Sequence, residues 1–332
     1  MKKILLGVLI TAISFTSAIA QETEEKKFTL SGSVDVYGTM NFADGPGTPG
    51  LLIANPENAN AFGLGMANII AGYEGENYGF VADIAFGPRA DDANMAGAIN
   101  QAYAYYQVNE KIRFTAGQFN TFLGYEVISP VVNFNYTVSY LFNAGPFSHT
   151  GIKMDYAASE DLSFLLAATN AHAISSIDGN ASGDMQFGAQ IGYKGQYLNF
   201  IYGAVDAGGV NDAMFIDYTG GFNLSESFWF GINAAYSHSD DADTGYSGIA
   251  LYLENTFSDK FALGIRPEYF SVDNAGTSSS VFATSLTAST QLSDDFKLIT
   301  EFRLDSSDDL IIEAFPTEKS VSALTIAAVY SF

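Results

Sequence analysis

The sequence contains no cysteine, and this absence limits how the protein can be stabilised and anchored. None of its 332 residues can form a disulfide or carry the lipid of a bacterial lipoprotein. An exported protein without disulfides needs another source of rigidity. A closed, hydrogen-bonded β-barrel provides one, because all of its backbone groups are paired within the wall.

Long apolar runs and charged residues are also scarce. No internal stretch approaches the roughly 20 apolar residues of a membrane-spanning helix. Charged residues make up only 15% of the chain, against about 25% in soluble domains. Without an apolar block, the hydrophobic residues fit a pattern that places them at every second position. The net charge of −23 argues against nucleic acid and against an anionic lipid surface as partners.

The one apolar block lies at the N-terminus. Two lysines precede an apolar core from Ile4 to about Phe15, and Ala18-Ile19-Ala20 offers a small-x-small cleavage site. This pattern is typical of a secretory signal peptide, with an uncleaved N-terminal anchor as the alternative. We therefore expect a signal peptide at residues 1–20 and a short polar leader at residues 21–27.

From residue 28 onward, apolar and polar residues alternate in short segments. In the first segment Phe28, Leu30 and Val36 share one face, while Ser31 and Asp35 take the other. This alternation predicts strands with one apolar face, and their lengths lie near the roughly 9 to 11 residues that a tilted strand needs to cross a bilayer. The sixteen candidates are residues 28–40, 62–74, 78–87, 99–108, 112–118, 151–158, 162–171, 185–194, 197–205, 214–224, 228–238, 247–257, 261–272, 281–292, 296–305 and 321–332.

The connections between these candidates fall into two alternating classes. Tight polar turns are centred near residues 76, 110, 160, 195, 226, 259 and 294. The other connections are longer and rich in Gly, Asn, Ser and Asp, as at 43–61, 239–245 and 306–319. Short turns on one side and long loops on the other are typical of an outer-membrane barrel. The predicted fold is all-β: a transmembrane antiparallel β-barrel of about 16 strands over residues 28–332.

One turn-to-turn interval, from 110 to 160, is much longer than the others. It contains an aromatic stretch at 119–150 that does not alternate cleanly and whose only charged or histidine residues are Glu126 and His149. A long loop of this composition is unfavourable in water. We expect it to be the third external loop, folded inward into the barrel lumen.

Charge indicates which strand faces point to lipid, because a basic residue on the lipid face at mid-membrane costs roughly 2–4 kcal/mol. The apolar faces carry no Asp, Glu, Lys or Arg in the strand cores. The opposite faces carry five basic and eight acidic residues: Asp35, Asp83, Arg113, Lys153, Asp155, Asp217, Glu254, Arg266, Glu268, Lys297, Glu301, Arg303 and Asp305. These faces are predicted to line a water-filled lumen.

Eight residues are the candidate site. We predict that Arg113, Lys153, Asp155, Arg266, Glu268, Glu301 and Arg303 line the pore and that Glu126 lies at its constriction. Pro267 falls on the lipid-facing parity, where it lacks the N–H that the strand ladder needs. We therefore expect a bulge or register shift at Pro267.

Aromatic residues flank the predicted turns, as expected for rings at a membrane interface. The pairs are Tyr73 with Tyr78, Tyr193 with Tyr197, Phe222 with Phe228 and Phe257 with Phe261. The last strand ends on Phe332, and an alternating strand with a terminal aromatic residue resembles the insertion signal of outer-membrane barrels.

No catalytic, cofactor or metal site is predicted. The three histidines, His149, His172 and His238, lie in predicted loops or at strand ends. They lack the spacing of a nucleophile elbow or of metal ligands. We expect them to be surface side chains, and the chain not to be an enzyme.

Residues 117–156 also carry a set of short motifs: Gly117-Gln118-Phe119, Asn133–Tyr136, Ser139–Phe142 and Gly145–Gly151. With these motifs the chain resembles the OmpL-like β-barrel porins of the porin-2 type. The resemblance implies an outer-membrane barrel in a Gram-negative envelope with a pore role. It brings no catalytic residues.

These observations predict an outer-membrane porin through which small polar solutes and ions diffuse passively. A weak cation preference is expected, because acidic groups outnumber basic ones on the inner faces. The alternative is a plugged barrel that serves as a surface adhesin or structural protein, and a barrel hydrolase is a third reading. The expected partners are outer-membrane lipid, lipopolysaccharide and the solutes themselves, and a homo-oligomer is left open.

Overall fold

The computed structural model describes residues 27–42, 62–93, 97–171, 184–204, 212–307 and 319–332. Within these ranges the chain forms sixteen strands and two short helices. The strands are β1 (Lys27–Asn41), β2 (Phe62–Glu74), β3 (Tyr78–Phe86), β4 (Ile99–Asn109), β5 (Ile112–Asn120), β6 (Ser148–Ala157), β7 (Leu162–Asn170), β8 (Met185–Tyr193), β9 (Gln196–Ala204), β10 (Asp212–Asn223), β11 (Phe228–Ser239), β12 (Thr244–Ser258), β13 (Phe261–Asn274), β14 (Thr277–Ser293), β15 (Phe296–Ser306) and β16 (Ser320–Ser331). The helices are α1 (Pro88–Ala93) and α2 (Tyr140–Ala144).

The strands form one closed antiparallel barrel. Each strand pairs with its neighbours in sequence, and β1 pairs with β16. The predicted all-β barrel of sixteen strands is confirmed. In the described part of the chain, the helices are all too short or too polar to cross a membrane.

Two outer connections are tighter than the sequence suggested. β11 and β12 are joined by residues 240–243 alone, and β13 and β14 by Ala275 and Gly276, whose φ angles are +47° and +82°. Two left-handed central residues are the geometry of a type I′ hairpin turn. The strands on either side therefore extend further than predicted.

The side chains of each strand alternate between an exposed apolar face and a buried polar face. On β1, Val36 is 51% exposed and Asp35 is 1% exposed; on β13, Ile265 is 41% exposed and Arg266 is 2% exposed. The exposed apolar faces are those that contact lipid in a membrane barrel. The positions of the charged residues in the sequence predicted the same orientation of the strand faces.

The seam between β1 and β16 extends to the last residue. Gly32 N donates to Phe332 O at 3.2 Å, and Phe332 N donates to Gly32 O at 3.0 Å. A Cβ atom at Gly32 would lie 2.5 Å from the Asn68 carbonyl oxygen and 2.8 Å from the Phe332 ring. The seam therefore requires glycine at this position.

The predicted bulge at Pro267 is wrong. On the β14 side, Pro267 pairs with Thr284 in an unbroken register. On the β12 side the ladder is interrupted between Ala250 and Leu253, opposite the proline, and the register is the same on both sides of this gap. The register of this pair shifts only near the turn, between Thr256 and Ser258. The missing N–H therefore removes ladder pairs between β12 and β13 locally, without changing their register.

Two of the four predicted aromatic pairs at the turns are in ring contact, and Phe222 stacks on Phe230 rather than on Phe228. The ring centroids of Tyr73 and Tyr78 lie 6.0 Å apart, and those of Phe257 and Phe261 also lie 6.0 Å apart. The pair of Tyr193 and Tyr197 is wrong, because Tyr197 alternates with the exposed Leu198 and lies on the buried face of β9.

Some predictions lie outside the described residues. They are the signal peptide at 1–20, the leader up to residue 26, the loop at 43–61, His172 and most of the loop at 306–319.

Candidate functional site

The segment that joins β5 to β6, residues 121–147, is called the insert below. Glu126 organises it: the Glu126 carboxylate accepts hydrogen bonds from Ser139 N at 2.8 Å and Ser139 Oγ at 2.5 Å. Ser139 in turn caps α2, since its Oγ accepts from Phe142 N at 3.0 Å. Gly124 adopts a φ of +81°, which favours glycine. The insert is therefore an ordered element.

The insert makes hydrogen bonds to the buried faces of strands around much of the wall. On β8, Gln190 Nε2 donates to Phe122 O at 3.3 Å, and on β10, Asp217 accepts from Gly124 N at 3.0 Å. Further contacts are Trp229 Nε1 to Tyr125 Oη at 2.7 Å on β11, Asn135 Nδ2 to Thr287 Oγ1 at 2.6 Å on β14, and Lys297 Nζ to Val131 O at 2.7 Å on β15. These contacts span the strands from β8 to β15.

A buried ion pair joins the insert to β13. Arg266 Nη1 lies 2.5 Å from Glu126 Oε1, and the two residues are 2% and 5% exposed. The same guanidinium donates to Thr137 O at 2.6 Å, Thr137 Oγ1 at 3.0 Å and Ser285 Oγ at 3.2 Å. A buried pair is stable only when its remaining donors are also used, and these three bonds use three of the four N–H groups that remain.

Two carboxylates on the wall bind backbone N–H groups of the insert. Glu301 accepts from Tyr136 N at 2.6 Å and Thr137 N at 3.1 Å, and it also accepts from the Thr137 hydroxyl. Glu268 accepts from Tyr140 N at 3.1 Å and Leu141 N at 2.7 Å. Hydrogen bonds to ionised acceptors are the strong ones, so both glutamates hold the insert against β13 and β15.

Arg303 fixes the same stretch from β15. Its Nη1 donates to Val138 O at 2.7 Å, and its Nε donates to Asp305 Oδ1 at 2.8 Å. Tyr140 Oη donates to Asp305 Oδ2 at 2.9 Å, and the Tyr140 ring lies 5.1 Å from the guanidinium carbon. Arg303 therefore binds the insert backbone and an acidic partner together.

Tyr136 is fully buried between the insert, β1 and α1. Its hydroxyl donates to Asp35 Oδ2 at 2.5 Å, and burial raises the pKa of Tyr136, which keeps this proton in place. Arg89 of α1 donates to Tyr136 O at 2.9 Å, and its guanidinium carbon lies 4.6 Å from the ring centre. The connection before β4 thus also fastens the insert.

Two other buried acids are satisfied by amides. Asp83 accepts from Asn68 Nδ2 at 2.9 Å and Asn100 Nδ2 at 2.5 Å. Asp217 accepts from Asn199 Nδ2 at 2.7 Å and Asn233 Nδ2 at 2.5 Å. Amide donors from neighbouring strands replace the water that a buried carboxylate loses.

A cavity of about 510 Å³ lies between the insert and the walls formed by β3 to β7 and by β8 to β12. Four charged wall residues line it. Lys153 Nζ lies 2.7 Å from Asp155 Oδ2. Arg113 Nε donates to Gln107 Oε1 at 2.7 Å, and its guanidinium carbon lies 4.5 Å from the Tyr105 ring centre. Glu254 lines the β12 side.

The eight candidate residues divide into two groups. Arg113, Lys153 and Asp155 line the cavity. Arg266, Glu268, Glu301 and Arg303 are 1–2% exposed and bind the insert. Glu126 belongs to both groups, because it lines the cavity and pairs with Arg266.

The sequence does not reveal which residues bind these charged side chains. Tyr136 and Thr137 lie in the motif stretch, but nothing in their spacing indicates that their backbone binds Glu301. Arg89 is a single cation in a loop, and only its isolation among Pro88, Asp91 and Asp92 distinguishes it.

Two of the three histidines, His149 and His238, lie within the described residues. His149 is 3% exposed, its Nε2 lies 2.9 Å from Thr121 Oγ1 and its ring stacks on Phe122. The expected surface position is therefore wrong for His149. His238 Nε2 lies 3.1 Å from Asp240 Oδ1. The described ranges contain no group of three His, Asp or Glu side chains that could hold a metal ion.

The family model described as "Putative beta-barrel porin-2, OmpL-like" matches residues 27–332. The chain belongs to this family. The match covers the whole barrel of the porin, so the resemblance found at residues 117–156 is confirmed. No curated protein matches the chain.

Solved structures of outer-membrane proteins share the fold at low sequence identity. The outer membrane channel DcaP of Acinetobacter baumannii has a TM-score of 0.64 at 11% identity, over 92% of this chain and 97% of its own. The anion-selective porin from Comamonas acidovorans has a TM-score of 0.60 at 13% identity, over 93% and 100%. OmpT of Vibrio cholerae in its trimer form has a TM-score of 0.59 at 13% identity, over 92% and 99%.

Proposed function

We propose that this porin resides in the outer membrane and allows small polar solutes to diffuse passively through its lumen. The observation that carries the proposal is the charged cavity beside the insert, in a closed sixteen-stranded barrel. Barrels of this size enclose an aqueous channel. In this proposal the protein lets solutes pass and carries out no catalytic step.

In this proposal the 119–150 stretch is the third external loop, folded into the lumen, where it narrows the channel. Its hydrogen bonds to the inner faces of β8, β10, β11, β13, β14 and β15 support this placement. The passage runs beside it, past Arg113, Lys153 and Asp155, with Glu126 at the constriction. Arg266, Glu268, Glu301 and Arg303 keep the insert in position.

We further propose a weak preference for cations. Eight acidic and five basic residues occupy the inner faces, and fixed charge along a pore sets its ion selectivity. The Comamonas acidovorans porin of the same fold is described as anion-selective, so the fold alone does not decide the sign.

Export through a cleaved signal peptide at residues 1–20 belongs to the same proposal. The lipid-facing strands would contact outer-membrane lipid and lipopolysaccharide. The trimer form of Vibrio cholerae OmpT supports a homo-oligomer, which cross-linking in native membranes tests.

The alternative function is a closed barrel that acts as a surface adhesin or structural protein. The many contacts of the insert from β8 to β15 favour it, because a larger insert footprint leaves less room for a passage.

Single-channel recording of the purified porin in planar bilayers distinguishes the two functions. Stepwise, stable currents are the result expected of a porin. A barrel that inserts and stays silent would overturn the proposed function and favour the closed barrel.

A further inference from the structure

The lining of the 510 Å³ cavity is more varied than ion passage requires. Its volume lies within the range of about 300–1,000 Å³ that is usual for ligand pockets. Its walls combine aromatic rings, side-chain amides and charges of both signs. Each of these features limits the chemistry of a solute that would bind there.

Five partly exposed aromatic rings surround the cavity. They come from different elements: β4 gives Tyr103 and Tyr105, the insert gives Phe122 and Phe134, and β9 gives Tyr197. Ring faces offer a flat apolar surface, against which the C–H faces of a sugar ring can stack. Hydrated ions gain nothing from such a surface, so the rings favour an organic solute.

Side-chain amides line the same cavity. Gln101, Asn120 and Gln190 line it, and an amide group both donates and accepts hydrogen bonds. Hydroxyl groups of a solute also both donate and accept, so they match such amides, whereas an ionised carboxylate or phosphate only accepts.

The charges that line the cavity cancel once Arg266, the buried partner of Glu126 behind the lining, is counted. Lys153 is paired with Asp155 at 2.7 Å, Glu254 offsets Arg113 in formal charge, and Glu126 is bound to Arg266. A site without net charge does not concentrate anionic or cationic solutes. It does offer charged donors and acceptors to hydroxyl groups.

We propose that this cavity is a binding site for a neutral polyhydroxylated solute of the size of a monosaccharide or disaccharide. The proposal rests on the porin function proposed above, and it specifies the solute class. The rings stack on the C–H faces of the solute, while the amides and the charged pairs bind its hydroxyl groups.

Sugar-induced current block in planar bilayers tests the proposal. D-Glucose and maltose are expected to block the ionic current of the porin in a concentration-dependent way, and D-glucuronate, the anionic counterpart of glucose, is expected to block less. The Tyr105→Leu variant removes one stacking ring. It should raise the half-blocking maltose concentration by about 2- to 12-fold.

Tyr106→Leu is the matched control, because Tyr106 is the next residue on β4, is 55% exposed and lies on the lipid face. Its half-blocking maltose concentration should equal that of the wild type. Tyr197→Leu repeats the test on β9 in case Tyr105→Leu does not fold. Three results would overturn the solute class: steady conductance without sugar block, ring variants that maltose blocks as strongly as the wild type, or stronger block by D-glucuronate. Each of them leaves the channel function intact.

A porin that conducts no current would defeat the proposed function and still leave the site testable. Titration calorimetry of D-glucose and maltose with the detergent-solubilised barrel then decides. Heat that saturates in the wild type and weakens in Tyr105→Leu supports the site, and the absence of binding heat overturns it.

Discussion

Carboxylates on the inner face of this barrel find their partners far away in the sequence. Glu301 binds the backbone of Tyr136, which is 165 residues away, and Glu268 binds that of Leu141, which is 127 residues away. A buried carboxylate is unfavourable unless hydrogen bonds replace its hydration. The inner-face acids therefore position a loop, and only a few of them face open space.

Replacing Glu301 by Gln should destabilise the insert. Tyr136 N and Thr137 N both donate to Glu301 Oε2, and the hydroxyls of Thr137 and Ser285 donate to Oε1. The Gln amide nitrogen replaces one of these two oxygens, so two buried donors lose their acceptor. Loss of hydrogen bonds to a charged group costs about 1.5–3 kcal/mol. The expected result is lower stability in denaturant titration of the detergent-folded barrel, with more frequent current fluctuations.

Glu226→Gln is the control for this change, because Glu226 lies exposed in the turn between β10 and β11. It removes the same charge without touching the insert and should leave stability unchanged. Equal stability of Glu301→Gln and wild type would show that the carboxylate does not hold the insert.

The pair of Glu126 and Arg266 should behave as one unit. Arg266→Met leaves Glu126 as a buried unpaired charge and should cost about 3–5 kcal/mol. Glu126→Gln in the same chain should recover part of this loss. The free energies of unfolding of the two single variants and the double variant form a cycle, and strictly additive values would contradict a direct pair.

The sequence shows which inner-face residues are charged, but it does not show which residues they bind. Period-two alternation places Arg266 and Glu301 on the inner face because lipid excludes them. It does not show that Thr137 lies against both, since contacts across the barrel depend on the path of an irregular loop. For the same reason the contact of Arg89 with Tyr136 and the buried position of His149 were not predicted.

At the scale of elements, the proposed narrowing of the passage by the insert can be tested by a deletion. Removing residues 121–143 leaves residues 144–147 to join Asn120 to Ser148, which already pair across β5 and β6. We expect a folded barrel with a severalfold larger single-channel conductance. Unchanged conductance would place the insert outside the passage.

A matched deletion helps to interpret this result. Replacing residues 240–243 by a two-residue Asn-Gly turn shortens an outer connection that has no part in the cavity. This variant should conduct like the wild type. A rise in conductance in both variants would point to general loosening of the barrel.

Strand existence and topology were predictable from the sequence, and local details were not. Alternation and polar turns suffice for sixteen strands, because a closed wall between lipid and water imposes the same pattern on each of them. The turn at Ala275 and Gly276 lies in a polar run from Asp273 to Ser280 that has the composition of a loop, so the strands beside it were predicted too short. Pro267 shows that a wall with two intact neighbours tolerates one missing donor without changing register.

At the scale of the whole molecule, the excess of inner-face acids should set the sign of selectivity. Under a salt gradient the wild type is expected to show a small reversal potential of the cation-selective sign. This potential should shrink as salt rises, because the Debye length falls from about 10 Å at 0.1 M to about 3 Å at 1 M. A clear anion-selective potential would refute this expectation.

The Lys153→Gln variant sharpens the same measurement. It removes a cation from the cavity and frees Asp155, so the reversal potential should move further in the cation-selective direction. Lys194→Gln is the charge-matched control, because Lys194 is 57% exposed in the turn between β8 and β9. It should leave the potential unchanged.

The hydrogen bond from Trp229 to Tyr125 gives the molecule an optical property. Trp229 is the only tryptophan in the sequence, and its indole N–H donates to the Tyr125 hydroxyl of the insert at 2.7 Å. All tryptophan emission from the protein therefore originates at one point, beside the insert. An insert that swings away would expose the indole to water and shift its emission to the red, so the unlabelled protein reports its own state in vesicles.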